Sequence, residues 1–285
     1  MEETKPPEEA MSVKVVDVDL IEISLPGLFR LSGRTYNRLA IVLTGPAGVG
    51  KTTLAHGMLH ATAEAFQGKG QGGKAGKRQG GGSSPTIQVV PLHLLLEFHR
   101  THSVDHGGDC PLVKKVGISS SGVKTSLVTQ TADAVLGRAS PRGAILLPVI
   151  AVDAATDLRG DDTDRLGNIW RGIQEFLAWL DKKFTYYIVV FIAQERANIN
   201  AGPYGPRRRP GFPDSHLHAA NFLIRMAPAG ENNLRILTST VNAIADKPQA
   251  EVSLTKDTLR ALISGGDSLR FGVELAGKTQ VYVEA

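Results

Sequence analysis

A single cysteine, Cys110, stands among the 285 residues, so no internal disulfide can form and the core alone must hold the fold. A lone thiol also points to a reducing compartment. Long apolar runs are missing: nothing approaches the roughly 18 consecutive apolar residues of a membrane-crossing helix. Residues 1–10, MEETKPPEEA, are acidic and carry prolines, unlike the basic and then apolar start of a secretory leader. The resulting expectation is a cytoplasmic protein without a membrane partner. Aromatic residues are few, yet the hydrophobic share of 42% is enough for a core and excludes global disorder. Neither sign of charge dominates, and a net charge of +4 does not by itself imply a polyanionic partner.

Acidic residues are also missing from 68–84, GKGQGGKAGKRQGGGSS, which holds four basic side chains and eight glycines. Such a segment cannot bury apolar surface, which predicts a mobile surface insertion. A solvated linker is the plainer reading of it, and a basic arm on phosphate backbones the alternative. The expected organisation is an acidic tail over 1–12 and one domain over 13–285 carrying this insertion.

What is present is concentrated in residues 45–52, GPAGVGKT, which fit G-x-x-x-x-G-K-[ST]. Gly45, Gly48 and Gly50 let the backbone adopt conformations closed to residues with a Cβ, so N–H groups of the Gly45–Thr53 stretch, Pro46 excepted, can turn inward on a polyphosphate. Ala47 and Val49 complete the loop. Lys51 brings a cation to the β- and γ-phosphates, Thr52 offers a hydroxyl to Mg²⁺, and the helix opening here with Thr53 adds its dipole. The flanks supply the required context: LAIVLTG (39–45) reads as a buried strand and KTTLAHGMLHATAEAF (51–66) as a helix.

Further along, 13–25 alternates like a strand, and PTIQVVPLHLLLEF (85–98) is β-rich. Pro91 lacks the N–H of a ladder bond, which places the central strand at 92–97. Residues 99–121 read as irregular and 123–138 as helix. AILLPVIAVD (144–153) and YYIVVFIAQ (186–194) read as strands buried on both faces, with an amphipathic helix over 163–184 between them. Strands are expected at 221–227 and 234–241, and near 269–275 and 279–284. Alternating strands and helices imply an α/β fold with a mostly parallel twisted sheet, helices on its flanks and antiparallel strands toward the C-terminus.

Two strand ends add to the site. Asp153 closes a buried strand, where an aspartate can hold Mg²⁺. Ala154 follows it, so that position supplies no base. Glu97, closing HLLLEF, is the candidate to polarise water, since ligands bind at strand C-termini in such sheets; a solvent-facing strand end is the plain alternative. Gln194 ends YYIVVFIAQ, and an amide can both donate to and accept from a γ-phosphate shell.

The order GPAGVGKTT, LLLEF, VIAVDAATDL, VVFIAQ resembles the RecA/KaiC superfamily of P-loop ATPases, over roughly residues 20–245, with LPGL (25–28) as a further likeness. The resemblance implies a RecA-like core binding ATP and Mg²⁺, with Glu97 as catalytic base and Gln194 as γ-phosphate switch. It also implies a homo-oligomer, ring or filament, with ATP at subunit interfaces. In recombinases of this group the loop after the switch glutamine contacts DNA. Here 195–214 carries Arg207, Arg208 and Arg209, with Tyr204 and Phe212 nearby for base stacking. A surface loop or subunit contact is the equal alternative.

Two departures follow. The acidic DLRGDDTD (157–164) lies where a second DNA loop would be basic. Arg235 and Leu237 fit the family's R-x-L, but Thr240, Val241, Asn242 and Ala243 follow where a cationic pair is expected, and Lys247 is a weak substitute. His99, His102, His106 and Cys110 have metal-like spacing in a Gly-bearing loop, for which loop polarity is the simpler account. ISGGD (263–267) follows Asp153 instead of preceding it, which removes its likeness to a transporter signature. The expectation is thus an ATPase associated with DNA, or a KaiC-like regulator acting through protein partners; a small-molecule kinase would need a lid that is not seen.

Overall fold

The computed structural model describes residues 13–24, 38–72, 87–96, 112–118, 122–138, 145–161, 169–197, 208–210, 220–240, 250–255, 257 and 272–284. Its main sheet is built from β2 (Arg38–Gly45), β3 (Ile87–Leu95), β4 (Lys114–Gly117), β6 (Ile145–Asp153), β8 (Tyr187–Ala197), β10 (Phe222–Pro228), β11 (Asn233–Thr240) and β12 (Ala250–Thr255). The order across it is β12-β11-β10-β2-β8-β6-β3-β4. From β10 to β4 all pairings are parallel, and β11 and β12 add antiparallel at one edge. The fold is therefore α/β with a mostly parallel sheet and an antiparallel C-terminal edge, as expected. A separate two-stranded ladder pairs β1 (Val13–Ser24) with β13 (Gly272–Glu284) antiparallel, so the two stretches expected at 269–275 and 279–284 form one strand.

The central strands are apolar on both faces because both are covered. On one face α1 (Lys51–Gly72) seats Leu54, Ala55, Met58 and Leu59 against Ile41, Leu43, Val190 and Ile192. On the other, α2 (Thr125–Arg138) and α3 (Ile169–Lys183) pack Val128, Leu136, Ile173, Phe176 and Leu180 onto Val42, Val152, Val189 and Phe191. Phe176 meets Phe191 edge-on with ring centroids 6.1 Å apart. Each of these buried side chains larger than alanine contributes about 2 kcal/mol of transfer free energy, so the paired faces account for why β2 and β8 read as unbroken apolar runs.

Three local readings change. Pro91 lies inside β3: β6 pairs with that strand from Ile87, whereas β4 joins only from Leu92. At the proline one side of β3 is still without a ladder among the described residues, the situation a strand proline tolerates. Helix α1 runs to Gly72, so residues 68–72 of the expected insertion are helical, and 73–84 lie outside the described residues. Between 99 and 121 a short strand, β4, forms at the sheet edge.

The acidic segment 157–164 is partly built into the body. β5 (Val123–Lys124) pairs with β7 (Leu158–Arg159). Asp161 Oδ1 accepts from the Ser126 amide at 2.9 Å, capping the first turn of α2. Thr125 Oγ1 reaches Arg159 O at 2.8 Å, and Gly172 of α3 lies so close that a Cβ there would meet the Arg159 backbone at 2.9 Å.

Candidate nucleotide site at the strand C-termini

Because β2, β6 and β8 are parallel, their C-terminal ends share one edge of the sheet. β8 lies between β2 and β6, pairing Gln194 with Gly45 on one side and Ile192 with Asp153 on the other. Three of the expected site positions are thereby brought together by strand register alone. Gly45 sits against the next strand so tightly that a Cβ would come within 2.5 Å of Met226 O, which is why the loop must begin on glycine. Gly48 and Gly50 take φ of +72° and +95°, conformations that L side chains rarely adopt. This turns the chain directly into α1, whose first bond runs from Leu54 N to Gly50 O at 2.9 Å. No acidic residue occupies the first turn of α1 to compete with an anion for its amides.

Lys51 is 7% exposed. Its Nζ donates to Gly45 O at 3.1 Å and to Pro46 O at 2.8 Å, which curls the side chain back over the loop it follows. Thr52 Oγ1 donates to Asp153 Oδ2 at 2.6 Å, joining the start of α1 to the end of β6. Burial pushes the Asp153 carboxyl up. The approach of the His93 ring, the Thr52 hydroxyl and the Lys51 ammonium outweigh that and hold it below its usual 3.8, so it is ionised near neutrality. A hydroxyl and an ionised carboxylate in contact make a hard-oxygen donor set, which fits Mg²⁺ better than a softer metal.

Behind these groups lie two residues that the sequence reading passed over. His93 on β3 and His56 on α1 are each 1% exposed. Their Nδ1 atoms are 3.4 Å apart, and His93 Nε2 stands 3.6 Å from Asp153 Oδ2. Histidine at a helix-facing strand position among aliphatic neighbours was the available signal.

Gln194 is exposed at the sheet edge, beside the loop. Beyond it β8 continues past both neighbours, and β9 (Arg208–Pro210) pairs antiparallel with this overhang, Glu195 to Pro210 and Ala197 to Arg208. The backbone of Arg208 and Arg209 is thus tied to the strand that carries Gln194. Arg207 lies outside the described residues, as do Glu97 and the histidine–cysteine loop at 99–110 and Lys247. The chain is followed just past the end of β3 to Leu96, whose amide donates to Asp153 O at 2.5 Å, so it reaches the same edge one residue short of Glu97. Among the described residues no group of three His, Cys, Asp or Glu side chains could hold a metal ion, and no helix is long and apolar enough to cross a membrane. Compared with protein-family models and with curated proteins, the chain finds no match in either.

Proposed function

We propose that this protein is a Mg²⁺-dependent ATPase of the RecA/KaiC kind. The observation that carries the reading is the Thr52–Asp153 contact at 2.6 Å, made at the mouth of a positive-φ glycine loop with Gln194 in register beside it. A glycine-rich turn of purely structural use needs neither a hydroxyl held on a half-buried carboxylate nor an ammonium folded over its own loop.

In this reading the loop amides and Lys51 hold the β- and γ-phosphates, the lysine exchanging its carbonyl partners for phosphate oxygens. Thr52 and Asp153 would hold Mg²⁺, which supplies charge neutralisation on the phosphates. Glu97 orients and deprotonates the attacking water, and Gln194 registers the γ-phosphate through its amide. The assembly that goes with it is a homo-oligomer, ring or filament, with ATP between subunits. Nucleotide state reaches the 195–214 segment through β8, whose overhang is paired with β9. DNA is the proposed partner of that segment, through Arg207, Arg208 and Arg209.

The reading is tested by binding of a fluorescent ATP analogue and by phosphate release. Lys51→Ala should lower hydrolysis by at least ~10²; an unchanged rate would sink it. One observation favours a protein partner instead: Asp161 of the acidic segment is held at the surface as a helix cap, and a fixed exposed carboxylate repels DNA phosphates. Titrating single-stranded DNA at several salt concentrations separates the two, since phosphate contacts make affinity fall steeply with salt.

A further inference from the structure

The pair His56 and His93 is unexplained by phosphate binding. Both rings are buried, on α1 and on a strand whose His93 pairs in register with the apolar Ala151. Leucine in both places would fill that volume without desolvating four ring nitrogens. The rings are tilted by 31° with centroids 5.7 Å apart, and Nδ1 faces Nδ1 at 3.4 Å. His93 Nε2 makes no hydrogen bond in this geometry and stops 3.6 Å short of Asp153 Oδ2, the same oxygen that accepts from Thr52.

Donor and acceptor logic leaves one neutral arrangement in which both of these approaches, Nδ1 to Nδ1 and Nε2 to Oδ2, are favourable. An ionised carboxylate only accepts, so His93 must present Nε2–H to Asp153. A neutral imidazole has one N–H, so His93 Nδ1 is then a bare acceptor. The facing His56 nitrogen must therefore carry the proton, as Nδ1–H. The reverse tautomer of His93 would set a ring lone pair against a carboxylate oxygen. Closing the remaining gap to hydrogen-bond length requires a shift of only a few tenths of an ångström.

We propose that His93 is a positioning residue for Asp153, holding Oδ2 from the sheet side while Thr52 holds it from the helix side, and that His56 fixes the His93 tautomer that makes this possible. Among the described residues Oδ2 is then committed to the protein, and Oδ1 is the oxygen left for a metal or its water. Supporting groups of this kind tune metal affinity by orienting a ligand they do not replace. The metal part of the inference rests on the ATPase reading; the tautomer part does not.

The tautomers are read on the full-length, nucleotide-free protein by long-range ¹H–¹⁵N correlation of the histidine rings, assigned with His93→Gln and His56→Gln. Nε2–H on His93 and Nδ1–H on His56 are expected. A proton on His93 Nδ1 would overturn the proposal. In parallel, affinity for the fluorescent ATP analogue is measured with Mg²⁺ and with chelator for wild type, His93→Leu and His93→Gln. The leucine variant should lose about 10- to 100-fold of the gain that Mg²⁺ confers, with binding in chelator unchanged. The glutamine variant keeps a donor near the Nε2 position and should retain most of the gain. A leucine variant with the full wild-type gain refutes the positioning role. If wild type itself gains nothing from Mg²⁺, the ATPase reading fails, and the tautomer measurement still decides the histidine arrangement.

Discussion

Arg225 grips Glu195 through both carboxylate oxygens, at 2.5 and 3.4 Å, across the gap between β10 and the overhang of β8. The Glu195 side chain is 1% exposed and the Arg225 side chain 41%. Strand alternation sends Gln194 and Glu195 to opposite faces, so this ion pair anchors β8 from behind while Gln194 faces the α1 side. A buried carboxylate that loses its cation is left uncompensated. Arg225→Ala should therefore destabilise the fold by about 2–3 kcal/mol, below the range for fully buried pairs because the guanidinium is partly solvated. Urea unfolding measures it. Combining it with Glu195→Gln should recover part of the loss, and a double variant worse than the sum would contradict the account.

Asp153 predicts a pH dependence. Its folded pKa is lowered relative to the ordinary 3.8, so the carboxylate stabilises the fold in full above that value. The contribution is lost as pH falls below 3.8 and through the folded pKa. The stability difference between wild type and Asp153→Asn should hold steady from pH 7 to pH 5 and shrink on further acidification. A difference that grew toward low pH would have the wrong sign.

Gly172 offers a purely steric test. Gly172→Ala puts a methyl 2.9 Å from the Arg159 backbone, where main chain has no rotamer to yield. Despite the higher helix propensity of alanine, a loss of about 1–3 kcal/mol is expected from overpacking. A thermal melt with an unchanged or raised midpoint would show that α3 and β7 can slide apart freely.

Gln194→Ala should separate binding from response. Its amide is expected to engage the γ-phosphate alone, so affinity for ADP should match wild type while the difference between ATP and ADP narrows. Equal losses for both nucleotides would reassign Gln194 to general loop packing.

Much of this was legible in the sequence, for reasons that differ by residue. The turn at Gly45–Thr52 is local: its glycines and its lysine carry their own conformational requirements, and Gly48 and Gly50 adopt the positive φ the pattern demands. Strands β2, β6 and β8 announced themselves because burial on both faces removes polar residues. Asp153 was legible because it ends such a strand. By contrast, Pro91 misled, because tolerance of a proline depends on where the neighbouring strand begins, a fact of tertiary pairing. The histidine pair was missed for the same reason. His56 and His93 are 37 residues apart and acquire meaning only when α1 lies over β3. Nor could any spacing have shown Asp161 capping α2, since that depends on β5 pairing with β7.

The antiparallel ladder of β1 with β13 has a practical consequence. Each strand covers one hydrogen-bonding edge of the other, from Val13 against Glu284 to Ser24 against Gly272. Trimming residues 13–24 would leave β13 as a bare template for a neighbouring molecule, and such edges recruit other chains. A shortened version of this protein should therefore fail first by sticking to itself, with the glycine loop and its Thr52–Asp153 contact still intact.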